Sequence, residues 1–116
     1  MKHYLAMYLG APKSMKGWEH LSEQQREQRM QEGMAAWGGW MEKHSDILVA
    51  AGGPLGKTKR IDPEGISDTS NDMTGYVIIK AETHDEAAKL FENHPHFSIF
   101  PGDCVEVMEC MPMPTK

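Results

Sequence analysis

His94, His96 and Asp103 are the residues of this 116-residue chain best suited to moving a proton. Histidine titrates near neutrality and serves as acid, base or ligand. His94 and His96 flank Pro95, and Pro101-Gly102 precedes Asp103, so all three fall around one short turn and are expected to converge at one end of a sheet. A His-x-His pair is also a fragment of a metal site. It has no defined third ligand here and no cysteine-rich companion, so neither a metal nor another cofactor is expected. Small-molecule sites are mostly apolar with a few polar anchors, and Tyr4, Tyr8, Trp37 and Trp40 could line such a pocket. The structural alternatives stand beside these assignments. His94 falls on an apolar stripe, where a hydrogen-bonded core histidine would serve equally, and the indoles could simply pack on a sheet or a second subunit.

Periodicity gives the helices and strands that carry these groups. Ser22 and Gln25 form a capping box that opens a long helix. Within it Met30, Met34, Trp37, Met41, His44 and Leu48 recur at steps of three and four on one face. Glu23 to Arg29 is polar and should face water. Gly33, Gly38 and Gly39 are poor helix formers, which suggests the close approach of a backbone or a large ring. Residues 47–55 (ILVAAGGPL) read as a buried strand, and 2–9 (KHYLAMYL) as a strand apolar on both faces. Residues 57–62 and the turn at Pro63-Glu64-Gly65 suggest a weak hairpin. Ser67 to Thr74 is polar and reads as a loop. Residues 75–82 (GYVIIKAE) form the best strand, being β-branched and bounded by glycine. Thr83 to Glu86 repeats the capping box, opening a helix whose stripe is Ala87, Leu90, Phe91 and His94. A single turn over 96–100 and a strand over 103–109 complete the chain, and the Pro-rich tail 111–116 is expected to be loose or draped on a neighbour.

Composition narrows the function. The chain reads as a single domain over 1–116. A net charge of −5 with no large basic cluster argues against nucleic acid. No apolar run is long enough to span a bilayer, and the N-terminal residues lack a signal peptide's pattern, so no membrane association and a cytoplasmic location are expected. Cys104 and Cys110 lie about 20 Å apart along one strand at ~3.3 Å per residue, too far to bridge, which agrees with a reducing compartment. The ten methionines fit an adaptable core or a ligand-accommodating pocket.

Strand, helix, strand with a hairpin, strand, helix, strand is the ferredoxin-like α+β order (βαββαβ with an extra hairpin). Two helices cover one face of a four-stranded sheet, yet the strands are apolar on both. The second face therefore calls for a second copy, a homodimer built sheet against sheet.

The segments MKHYLAMY, AAWGGWMEKHSDILVAAGGPLG, TGYVIIKAETHDEAAKLFENHP and GDCVEVMEC, in that order and spacing, together resemble the YCII-related (DGPF-domain) family. The resemblance implies a dimeric α+β barrel. Some members resemble an enzyme that removes halide from a chlorinated hydroxyquinol, for which a His/Asp pair is proposed. The histidine's place in the first helix corresponds here to Ala35 or Ala36, and the aspartate's place to Asn93-His94-Pro95. Two functions are thus expected in competition. One is binding of a small aromatic or lactone-like molecule, with isomerase or lyase chemistry. The other is a non-catalytic dimeric module that binds or regulates a partner protein.

Overall fold

The computed structural model describes residues 1–10 and 18–113. Its elements are β1 (Lys2–Leu9), α1 (Glu23–Lys43), a 3-10 turn (Ser45–Ile47), β2 (Leu48–Pro54), β3 (Thr58–Asp62), β4 (Gly65–Thr69), β5 (Met73–Ala81), α2 (His84–Lys89), α3 (Pro95–Ser98) and β6 (Cys104–Glu109). Strands β2-β5-β1-β6 form one antiparallel sheet. With the β3–β4 arm set aside, that is the ferredoxin-like arrangement anticipated from the element order.

Strand alternation separates the sheet's two faces. Tyr4, Ala6 and Tyr8 of β1 and Val77, Ile79 and Ala81 of β5 point to the helices and form the core with Ala87 and Phe91. The opposite face carries Leu5 and Met7, paired across the strands with Ile78 and Tyr76, and none of the helices among the described residues covers it. Helix α1 starts as its sequence dictates. Ser22 Oγ accepts from the Gln25 N–H at 3.1 Å, and Gln25 Oε1 accepts from the Ser22 N–H at 2.9 Å.

Several expectations need correction. Residues 47–55 are not a buried strand. Strand β2 lies at the sheet edge, pairs only with β5, and has no fully buried residue. Residues 67–69 are not loop, because they pair with 58–60 in the arm. A two-stranded ribbon has water on both faces, so polar residues are no obstacle to strand formation there. The second helix stops at Lys89, and His94 is not on its stripe. Asn93 adopts φ 57°, and His94 is the N-cap of the separate turn α3. The residue before proline is disfavoured in the helical region, which ends the first run short of Pro95. The helix glycines also differ from one another. A β-carbon on Gly33 would collide with the Phe100 ring, whereas one on Gly38 or Gly39 would meet nothing within 4 Å.

The protomer is spread out. Its radius of gyration is 16.3 Å, against about 13 Å for a compact domain of this length. The β3–β4 arm makes its main contacts within itself. At its tip Ile61 and Ile66 are cross-strand partners, 72% and 74% exposed. The tail over 114–116 lies outside the described residues.

Candidate functional site

Helix α1 stands off the sheet along part of its length and leaves a cavity of about 490 Å³ between itself, the β2–β5 edge and the turn after α3. Trp37 and Phe100 line it, packed edge-to-face on each other with ring centroids 6.0 Å apart. Met30 and Met34 line it from the exposed half of α1. Among the described residues no Asp, Glu, Lys or Arg lines it. The polar side chains that matter are those of Tyr8 and His96, whose ring centroids are 5.3 Å apart.

Local sequence fixes the two histidines. As N-cap of α3, His94 takes the His96 backbone N–H on its Nδ1 at 3.0 Å. An accepting nitrogen carries no proton, so the neutral ring has its hydrogen on Nε2. That Nε2–H faces the Tyr8 hydroxyl at 3.4 Å, a long hydrogen bond. His94 is 1% exposed. Its pKa is pushed down to about 4, chiefly by burial and then by the neighbouring His96 and His44. Burial also raises the Tyr8 hydroxyl's pKa. The phenol therefore keeps its proton, and with His94 donating to its oxygen, its own O–H remains available as a donor.

His96 is held differently. Its Nε2–H donates to the Leu9 carbonyl at 2.7 Å, so in the neutral ring Nδ1 bears the lone pair. That nitrogen has no partner among the described residues and is not sealed off from solvent. The residue is all but buried and lines the cavity. Gly102 makes the seat possible, since a β-carbon there would overlap the imidazole at Cε1 and Nε2.

Tyr8, Trp37 and His96 thus meet at the cavity, with His94 packed behind Tyr8 and Trp37. Three other expected site residues lie elsewhere. Tyr4 is in the core, stacked on His84 at 5.3 Å. Trp40 donates its Nε1–H to the Leu90 carbonyl at 2.9 Å and packs on Phe91. Asp103 is exposed and borders a separate shallow depression with Phe97 and Cys104. Phe100, Met30, Met34 and Gly102 line the cavity without having been singled out as site residues. Gly33 was the available signal, a costly helix glycine that leaves room for Phe100. Among the described residues no cluster of three or more His, Cys, Asp or Glu side chains is placed to hold a metal ion, and no helix is long and apolar enough to cross a membrane.

A solved structure shares the architecture. It is the 5-chloro-2-hydroxyhydroquinone dehydrochlorinase (TftG) from Burkholderia phenoliruptrix AC1100, in complex with 2,5-dihydroxybenzoquinone. The likeness covers 94% of this chain and 93% of that one, with a TM-score of 0.57 and 19% sequence identity. At that identity it establishes the fold and nothing finer. No protein-family model matches the chain, and no curated protein matches it in sequence.

Proposed function

We propose that this protein binds a small, uncharged aromatic or lactone-like compound in the α1–sheet cavity and acts on it by proton transfer, as an isomerase or lyase does. The observation that carries the reading is the cavity's make-up. Aromatic rings and two methionines surround the Tyr8 and Thr74 hydroxyls and the His96 imidazole, with no ionised side chain among the described lining residues. A carboxylate or phosphate ligand would find no counter-charge there, and desolvating it would be costly. A neutral ring with oxygen substituents loses little on entering and gains contact with Trp37 and Phe100. The ligand in the dehydrochlorinase complex is likewise an oxygen-substituted six-membered carbon ring, and the sequence resemblance to the YCII-related family points to the same ring class. Two copies close sheet against sheet over Leu5, Met7, Tyr76 and Ile78, and the two unbridged cysteines suit a cytoplasmic setting.

Isothermal titration with hydroxyquinol tests this. Gly38 lines the cavity, and its missing β-carbon faces open space, so Gly38→Phe fills the cavity without disturbing the helix. Wild type should bind and the variant should not. Equal binding by both would remove the cavity from the account.

A second reading has an observation of its own in the β3–β4 arm. An isolated two-stranded ribbon is marginally stable in water, yet this one projects with Ile61 and Ile66 bare. That suits a module whose arm docks on another protein. If Ile61→Lys/Ile66→Lys leaves ligand binding and dimer mass intact but abolishes capture of a partner, the module reading gains. If the dimer itself dissociates, the arm serves self-association.

A further inference from the structure

The two buried histidines are held in one tautomer by different partners, and the consequence for chemistry is specific. We propose that His96 Nδ1 and the Tyr8 hydroxyl form an acid–base pair that enolises an uncharged ring compound, a polyhydroxylated benzene or its keto tautomer, with His94 as the positioning residue for Tyr8. This rests on the binding reading above and adds to it the reacting atoms and the substrate's chemistry.

The assignment follows from hydrogen-bond sense. A carbonyl can only accept, so Leu9 O holds the proton of His96 on Nε2 and leaves Nδ1 as the ring's free base. A backbone N–H can only donate, so the His96 amide occupies the lone pair of His94 Nδ1. The sole remaining nitrogen of His94 already carries a hydrogen and points at Tyr8 Oη. His94 therefore has no free lone pair with which to act as a base. Its part is to fill one acceptor site of the phenol, which leaves the Tyr8 O–H to donate to a ligand oxygen. His96 and Tyr8, which both line the cavity, accordingly carry an acceptor and a donor on adjacent rings, the pair needed by a substrate that has a carbonyl oxygen beside an acidic C–H.

In the forward step the substrate C–H bond breaks and its proton joins His96 Nδ1, giving an imidazolium still anchored to Leu9 O. The C–H electron pair becomes the ring C=C bond, and the carbonyl π pair moves onto oxygen, where the Tyr8 O–H stabilises it. The imidazolium then returns its proton to that oxygen, yielding the hydroxyarene. Returned to carbon, the same proton regenerates the ketone. No oxidant, reductant or second substrate is consumed.

In D2O this chemistry exchanges ring C–H of phloroglucinol or hydroxyquinol for C–D, read anaerobically by proton NMR while calorimetry follows binding of the same compounds. Wild type should accelerate exchange at saturation. His96→Ala should lose about 100-fold of that rate, a typical share for one acid–base group, with the dissociation constant essentially unchanged. Tyr8→Phe should lose rate at saturation as well. His94→Leu should lose it in the same way, and His94→Gln, whose amide can donate to Tyr8, should recover part of it. A residue needed only for folding would not split rate from affinity or respond to that rescue. Nitrogen-15 NMR of the histidine rings in wild type guards against variants that misfold. His94 and His96 should both show Nε2 protonated and Nδ1 bare at neutral pH, and His96 protonated on Nδ1 would overturn the assignment. If the compounds bind but wild type exchanges no faster than solvent, or His96→Ala exchanges as fast as wild type, the acid–base pair is wrong while the binding reading stands. If neither compound binds, both fall together.

Discussion

Lowering the pH from 7 to 5 should weaken this fold through His94, and the size of the effect can be worked out. The ring is 1% exposed, its Nδ1 is committed to the His96 amide, and its pKa falls from 6.5 to about 4 on folding. A group depressed in this way contributes fully above its unfolded pKa. Below about 6.5 the unfolded chain takes up a proton that the folded chain refuses, so stability declines, and the decline levels off near pH 4. At about 1.4 kcal/mol per pKa unit, the whole loss is about 3 kcal/mol. Roughly 2 kcal/mol of it falls between pH 7 and pH 5, before most carboxylates titrate. Against a typical total of about 5–15 kcal/mol, that is a large fraction. The assay is urea unfolding at pH 7, 6 and 5 at one protein concentration, because a dimer's stability depends on it. His94→Gln serves as the non-titrating reference. The variant will be less stable throughout, so the comparison lies in the slopes. Wild type should lose about 2 kcal/mol more than His94→Gln over this range. Parallel pH profiles would mean that the fold accepts a proton on His94 as readily as the unfolded chain does, which is incompatible with Nδ1 being committed to the His96 amide.

Other consequences are quicker to check. Gly38→Ala and Gly39→Ala place a methyl in open space on α1, so each should raise thermal-unfolding stability by up to about 1 kcal/mol. Only larger side chains at Gly38 should impair ligand binding. Gly52 sits at φ +66° with its missing β-carbon aimed into the Tyr76 carbonyl. Gly52→Ala should therefore cost about 2–3 kcal/mol in chemical denaturation and loosen the β2–β5 edge in amide exchange. Gly102→Ala should displace the His96 imidazole and shift its ring resonances, with the rest of the amide spectrum largely preserved. In sedimentation the protein should run at about twice its 13.1 kDa chain mass, and Met7→Asp, on the uncovered sheet face, should halve that mass.

The parts of this fold legible in the sequence are those where one local signal sufficed. The Ser22/Gln25 box was readable because both hydrogen bonds lie within four residues. Strand β5 was readable because its β-branched run has a burial partner on every alternate residue. Where the outcome depended on distant neighbours, the pattern misled. Residues 48–54 look like a core strand by composition, but only the sheet order decides that they form an edge. His94 continued the spacing of Leu90 and Phe91, and that spacing outweighed the one local sign against it, the Pro95 that disfavours a helical residue at 94. The candidate site was legible in part for the same reason. Tyr4 and Tyr8 share one face of β1, yet α3 packs near the Tyr8 end and His84 near the Tyr4 end. The indoles at 37 and 40 differ by nearly a full turn of helix, but only Trp37 borders the cavity, while the other hydrogen-bonds to Leu90. Convergence of β1, α1 and the α3 turn is a property of packing, and no stretch of sequence contains it.

An uncharged oxygenated ring is expected to lie against Trp37 and Phe100 within reach of Tyr8 and His96. Chemical-shift mapping of isotope-labelled protein with hydroxyquinol addresses it directly. Saturable shifts should concentrate on the Trp37 indole, the Phe100 ring, the His96 imidazole and the Gly75 amide, with the β3–β4 arm silent. Shifts centred on the arm or on the open sheet face, or none at saturating compound, would contradict it.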